Sequence, residues 1–157
     1  MTVSFKALPT DAVRALQAGG ADVYGNAPER KISDGIGVPC RHCLTQIKKG
    51  EPYLVVAYRP FTDLQPYAET APLFIHAEEC PQGEVGAAVP EMLDSTEYIV
   101  RGYDRDERIV YGTGAVTATG EIPEYAEMLL ERSDIEFVHI RSASNNCYQC
   151  RIERDQT

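Results

Sequence analysis

The chain has 157 residues, enough for one domain that buries roughly 70% of its unfolded surface and folds without disulfides. With 43% hydrophobic and 25% charged residues it reads as globular rather than disordered, and no apolar run approaches the ~20 residues that span a bilayer. A formal charge of −9 repels a phosphate backbone, so composition excludes nucleic acid and the membrane interior as partners.

In chain order the expected elements describe an α+β fold, with residues 1–39 an N-terminal helix and loop segment of a single domain, 1–157. Thr10 is placed to cap a short helix over 11–18, with Val13 and Leu16 on one face and Gly19-Gly20 as its stop. Residues 19–39, rich in Gly, Pro, Asn and Asp, read as a long loop. Strands are expected at 53–58, 72–76, 97–101, 108–118 and 135–141, with a last short one at 147–152. GTGAVTATG at 112–120 belongs to one of them as small residues in a twisted strand, since it matches neither a Walker loop nor a dinucleotide-binding turn. A helix is expected over about 122–132, with Pro123 in its first turn, Glu124 and Glu127 near its positive end, and Met128 and Leu129 toward a core. Strands dominate without βαβ alternation, which predicts a mostly antiparallel or mixed sheet with about two helices against it.

The start, MTVSFKALPTDAV, lacks the basic and long apolar regions of a secretory signal, which predicts a cytoplasmic protein with reduced thiols. Five cysteines, an odd number, also fit a disulfide framework poorly. They are arranged instead as two CxxC pairs, Cys40/Cys43 and Cys147/Cys150, with Cys80 four residues after His76. Both pairs have basic neighbours. Residues 30–59 carry six cations (Arg30, Lys31, Arg41, Lys48, Lys49, Arg59) against Asp34 and Glu51, and Arg141, Arg151 and Arg154 lie near the second pair. Positive surroundings stabilise thiolates, whether for metal binding or for reactivity.

Zinc needs four S or N donors in a tetrahedron, and a CxxC turn delivers two from one tight knuckle. Two ligand sets are available. The local one is Cys40, Cys43, His76 and Cys80; the other, Cys40, Cys43, Cys147 and Cys150, would join the two ends of the domain. Closing a short loop costs less entropy, which favours the local set. Its order of CxxC, glycine, two β-rich stretches, then His and Cys resembles a treble-clef-like finger, with three residues rather than two between His76 and Cys80.

Other chemistry is weaker. His42 inside CRHC gives the pair the look of a redox dithiol, yet Gly37, Pro39 and Gly50 leave no room for the long helix that follows such a site, so His42 is expected on the exposed turn of a knuckle. A cysteine nucleophile paired with His139 lacks any aligning motif, and His139 is expected to be a hydrogen-bonded core or edge histidine. YRPF at 58–61 and PYAE at 66–69 are candidates for lining a pocket.

The strings CRHCL at 40–44, YRPF, PYAE, LFIHAEEC at 73–80, RGYD at 101–104, RIVYGTG at 108–114 and NNCYQCRIER at 145–154 resemble one bacterial family, domain of unknown function 1203. The resemblance covers residues 40–154, the family core. It implies a small bacterial soluble protein with no established activity, and it supplies no catalytic residues. Two function classes remain: a small zinc-binding module that binds a protein or small-molecule partner, and a thiol-based redox sensor or zinc- or cysteine-dependent enzyme.

Overall fold

The computed structural model describes residues 2–84 and 86–155. Its order is β1 (Val3–Lys6), α1 (Thr10–Gln17), β2 (Glu29–Ile32), β3 (Pro52–Tyr58), β4 (Ala71–His76), β5 (Glu97–Tyr103), β6 (Ala115–Ala118), α2 (Ile122–Leu130), β7 (Phe137–Ser142) and β8 (Tyr148–Arg154). A single 3-10 turn, Thr119–Glu121, leads into α2. All named strand pairs are antiparallel, in a five-stranded sheet ordered β1-β8-β7-β5-β6 and a three-stranded sheet ordered β2-β3-β4. The fold is α+β. No helix among the described residues is long and apolar enough to cross a membrane.

Each sheet has its own apolar filling. On the larger one, Ile122, Ala126, Leu129 and Leu130 of α2 pack with Val100, Val138, Ile140, Cys150 and Ile152. Those strand residues alternate along β7 and β8, as a sheet with one face under a helix requires. The opposite face of β7 carries Phe137 and His139, covered by Phe61. Under the smaller sheet, Val13 and Leu16 of α1 pack with Cys40, Ile47, Val56, Leu73 and Ile75. The register of β7 against β8 breaks between Ile140–Cys150 and Arg141–Tyr148, so Gln149 is an extra residue. Such a bulge turns the chain about its axis. Cys150 joins the α2 side, while Tyr148 joins the core of the smaller sheet and stacks edge-on to His139.

Several sequence expectations are corrected. The segment 19–39 contains β2, an edge strand whose four residues are all exposed; with no buried face it shows no apolar alternation. Of 108–118 only Ala115–Ala118 is strand. Before it the chain turns at Asp104, whose carboxylate accepts the Asp106 and Arg108 N–H groups, and again at Gly112, where φ is +92°. In α2 the buried side chains are Ile122, Ala126, Leu129 and Leu130, and Met128 is exposed. The α1 helix begins at Thr10 itself, and its hydroxyl caps no backbone group.

Candidate metal centre

Residues 39–47 fold into a tight knuckle. The Cys40 N–H donates to the Thr45 carbonyl and the Leu44 N–H to the Cys40 carbonyl, both at 2.9 Å. Reversing the chain so sharply puts Leu44 at φ +63°, a left-handed conformation that costs a non-glycine residue of order 1 kcal/mol. Burial of Leu44 in the α2 core offsets that strain. Across the knuckle, Gly83 donates to the His42 carbonyl at 2.7 Å. It must be glycine, because a Cβ there would stand 2.6 Å from Leu44 Cγ and 2.9 Å from the Cys43 carbonyl oxygen.

The other half of the site comes from the end of β4 and the turn after it. His76 is the last residue of β4, opposite Tyr53 of β3, and Cys80 follows in the loop. Helix α1 fixes that loop. Arg14 donates to the Cys80 carbonyl at 2.8 Å, and the Gln17 amide donates to the carbonyls of His76 and Glu78 at 2.9 Å each.

The result brings the Sγ atoms of Cys40, Cys43 and Cys80 and a ring nitrogen of His76 within 4.8 Å of one another. Cys40 and Cys80 are buried, while Cys43 and His76 are half-buried at the wall of a cleft of about 530 Å³. Around zinc, with Zn–S near 2.3 Å and Zn–N near 2.0 Å, a tetrahedron has S···S edges of about 3.8 Å and S···N edges of about 3.5 Å. The Cys40–Cys80 sulfurs are 4.0 Å apart, and Cys43 Sγ is 3.4 Å from His76 Nδ1. The donor set and its spacing fit one tetrahedral cation. All five cysteines are free thiols.

Crowding couples the donors' protons. Cys43 is held far below the ordinary thiol range, first by hydrogen bonding from Cys40 and then from Cys80. Cys80 is pushed far up by the same two neighbours together with burial. His76 rises to about 10 through its hydrogen bonds with Cys40 and Cys43. A positive charge is thus favoured among these sulfurs.

Around the four donors lie partners that the sequence did not reveal. The His76 N–H points at Cys40 Sγ at 3.4 Å, and the Thr45 hydroxyl lies 3.2 Å from Cys43 Sγ. His42, expected on an exposed turn, is fully buried instead. Its Nδ1 lies 3.1 Å from Cys80 Sγ and its Nε2 2.9 Å from the Thr10 hydroxyl. Burial, followed by the positive charges of Arg14 and His76, lowers its pKa, so a neutral ring links α1 to a thiol.

The second CxxC pair is not brought to this site. Cys147 lies just before β8, its thiol directed at the Asn145 carbonyl 3.7 Å away. Cys150 is sealed in the α2 core 3.3 Å from the Lys6 carbonyl, and burial pushes its thiol up to about 12. The spacing resembles a knuckle, but Tyr148–Cys150 is bulged strand rather than a turn, and the two thiols point at different carbonyls, Asn145 and Lys6. His139 sits in the core against the rings of Tyr103 and Phe137, and neither of its ring nitrogens has a hydrogen-bond partner, thiol or otherwise, among the described residues.

The family model described as "Protein of unknown function (DUF1203)" matches residues 37–154. The chain belongs to this family. The match takes in the knuckle, β4 with the loop to Cys80, and β8, and leaves outside it β1, α1 and β2. This member of DUF1203 therefore buttresses its Cys/His cluster with Thr10, Arg14 and Gln17, three residues that precede the matched region. No curated protein and no solved structure matches the chain.

Proposed function

We propose that the protein is a small zinc-binding module, working in the cytosol, whose metal is structural and whose task is to bind a protein or small-molecule partner. Cys40, Cys43, His76 and Cys80 hold the ion. The observation that carries this reading is the gathering of three thiols and one imidazole nitrogen within 4.8 Å, from elements up to 40 residues apart, with no disulfide among them. A soft S₃N donor set in tetrahedral spacing suits zinc better than calcium, magnesium or manganese, which prefer oxygen. Four protein ligands close the coordination sphere, which is the arrangement of a scaffold and leaves no position for a metal-bound water. The charge of −9 argues for a partner other than nucleic acid.

A second reading, a thiol redox sensor or cysteine-dependent enzyme, draws on the half-buried Cys43 beside His76 at the wall of an open cleft. Such a thiolate–imidazolium pair is the nucleophilic form of cysteine. Elemental analysis of protein purified without added metal, paired with a native thiol count, separates the two. The zinc module gives about one zinc per chain, with the three cluster thiols slow to react. Well under half an equivalent of metal, with all cysteines titrating freely, overturns it in favour of the second.

A further inference from the structure

A cleft of about 490 Å³ opens where the β1–α1 connection, the Tyr58–Thr62 segment and β8 meet, and none of the four clustered donors lines it. In a chain of net charge −9, its wall holds three cations, Lys6, Arg59 and Arg151. Arg151 is committed elsewhere: its guanidinium lies 3.8 Å from the centre of the Phe137 ring and donates to Glu153 at 3.2 Å. The remaining carboxylate on the wall, Glu107, has one oxygen, Oε1, engaged by both the Thr62 N–H and hydroxyl, at 2.9 and 2.6 Å.

Lys6 and Arg59 are different. Neither side chain has an ion pair or hydrogen bond among the described residues. Arg59 Nε is sealed from solvent with no acceptor among the described residues. A buried donor without a partner loses its water and regains nothing, which is a standing cost in the free protein. An anion meets that donor only when the half-buried guanidinium turns toward the cleft, and that turn removes the cost. Beside the two cations, the half-buried Tyr58 and the buried Phe61 and Tyr148 line the same cleft.

We propose that this cleft is a binding site for a small organic anion, a carboxylate or phosphate carried on a flat apolar body. Lys6 and Arg59 take the charged group, Arg59 with the planar fork that matches two oxygens. Tyr58, Phe61 and Tyr148 take the flat body by ring contact. The cleft's volume lies within the usual range of small-molecule sites, and a single-ring acid fits it. This deepens the ligand-binding half of the reading above and does not rest on the metal.

The test is titration of the full chain with phenyl phosphate, followed by calorimetry or NMR, with phenol and inorganic phosphate as parallel arms. Phenyl phosphate should saturate one site, weaken as salt is raised, and bind at least about tenfold more tightly than either fragment. Arg59→Gln and Lys6→Gln should each weaken it about tenfold or more, the loss expected for a charge-assisted hydrogen bond, with unfolding midpoint and metal content unchanged. Absence of saturation, or phenol or phosphate alone binding as tightly as phenyl phosphate, overturns the proposal without recourse to a variant. So does parental affinity in both glutamine variants. Metal content is read separately, so failure here and failure of the zinc reading are distinct outcomes.

Discussion

Arg41 donates from both Nε and Nη2 to the carbonyl oxygen of Tyr148, at 3.2 and 3.1 Å. The residue after the first cluster cysteine is thereby tied to the first residue of the last strand, 107 positions away. A third N–H reaches the Pro39 carbonyl at 3.0 Å, and the guanidinium lies over the Phe74 ring. The residue is 3% exposed and meets no carboxylate among the described residues; burial pulls its pKa down to about 10, which still leaves it charged at neutral pH. The knuckle and the C-terminal strand are joined by a buried arginine, and the join needs no ligand from Cys147 or Cys150.

Replacing Arg41 should therefore weaken the fold more than the metal site. Arg41→Met removes the donors to Tyr148 and Pro39 and leaves two buried carbonyls short of a partner, at an expected cost of about 2–4 kcal/mol. Arg41→Lys should recover little, because an ammonium cannot present paired donors in a plane. Urea unfolding measures the loss, and elemental analysis should still find about one metal per chain.

The ligand set makes a sharper prediction. Cys80→Ser and His76→Ala should each release the metal, because nothing else in a four-ligand site replaces a lost bond. Cys150→Ala should keep about one equivalent and cost on the order of 1 kcal/mol, as a small buried hydrophobe lost from the α2 core. Metal retained in the Cys80 variant and lost in the Cys150 variant would refute the assignment.

How much of this was legible in the sequence depends on range. The knuckle could be read because its signals are local: two cysteines three apart, a following glycine, and a His and Cys shortly after. The strands β3, β4, β5 and β7 announced themselves by apolar runs. What escaped was long-range or one-sided. β2 buries nothing, so it has no pattern to read. Cys147 and Cys150 lie on either side of a register break between two strands, and their spacing belongs to an extended chain entering β8 rather than to a knuckle. His42 looked exposed because its burial depends on α1, 32 residues upstream through Thr10, folding over it.

That Thr10–His42–Cys80 chain carries its own prediction. A neutral imidazole hydrogen-bonded to a ligand sulfur orients the ligand and tunes its charge. His42→Phe should hold the metal about 10–100-fold less tightly while keeping the stoichiometry, and Thr10→Val should shift affinity in the same direction by less. Competition with a chromophoric chelator reads both. Parental affinity in both variants would mean that the chain braces α1 and leaves the metal unaffected.

His139 gives the pH prediction. Its ring is enclosed by those of Phe61, Tyr103, Phe137 and Tyr148, with centroids 5.2, 4.8, 4.9 and 4.8 Å away. Neither nitrogen has a partner among the described residues, and the charges that reach it, from Arg151, Arg141 and Arg101, are all positive. Burial first, and those arginines next, push its pKa well below 6.5. The folded protein therefore leaves His139 neutral where the unfolded chain, below about pH 6.5, binds a proton. The unfolded state gains protons as pH falls, so stability is full above that value and declines beneath it, by up to about 1.4 kcal/mol per pH unit. His139→Phe fills the same aromatic enclosure and cannot be protonated. Urea unfolding across mildly acidic pH should show the parent losing stability along this slope and the variant losing less by that one-proton increment. Parallel pH profiles would mean that His139 finds a proton acceptor, such as a buried water, inside the ring of aromatics.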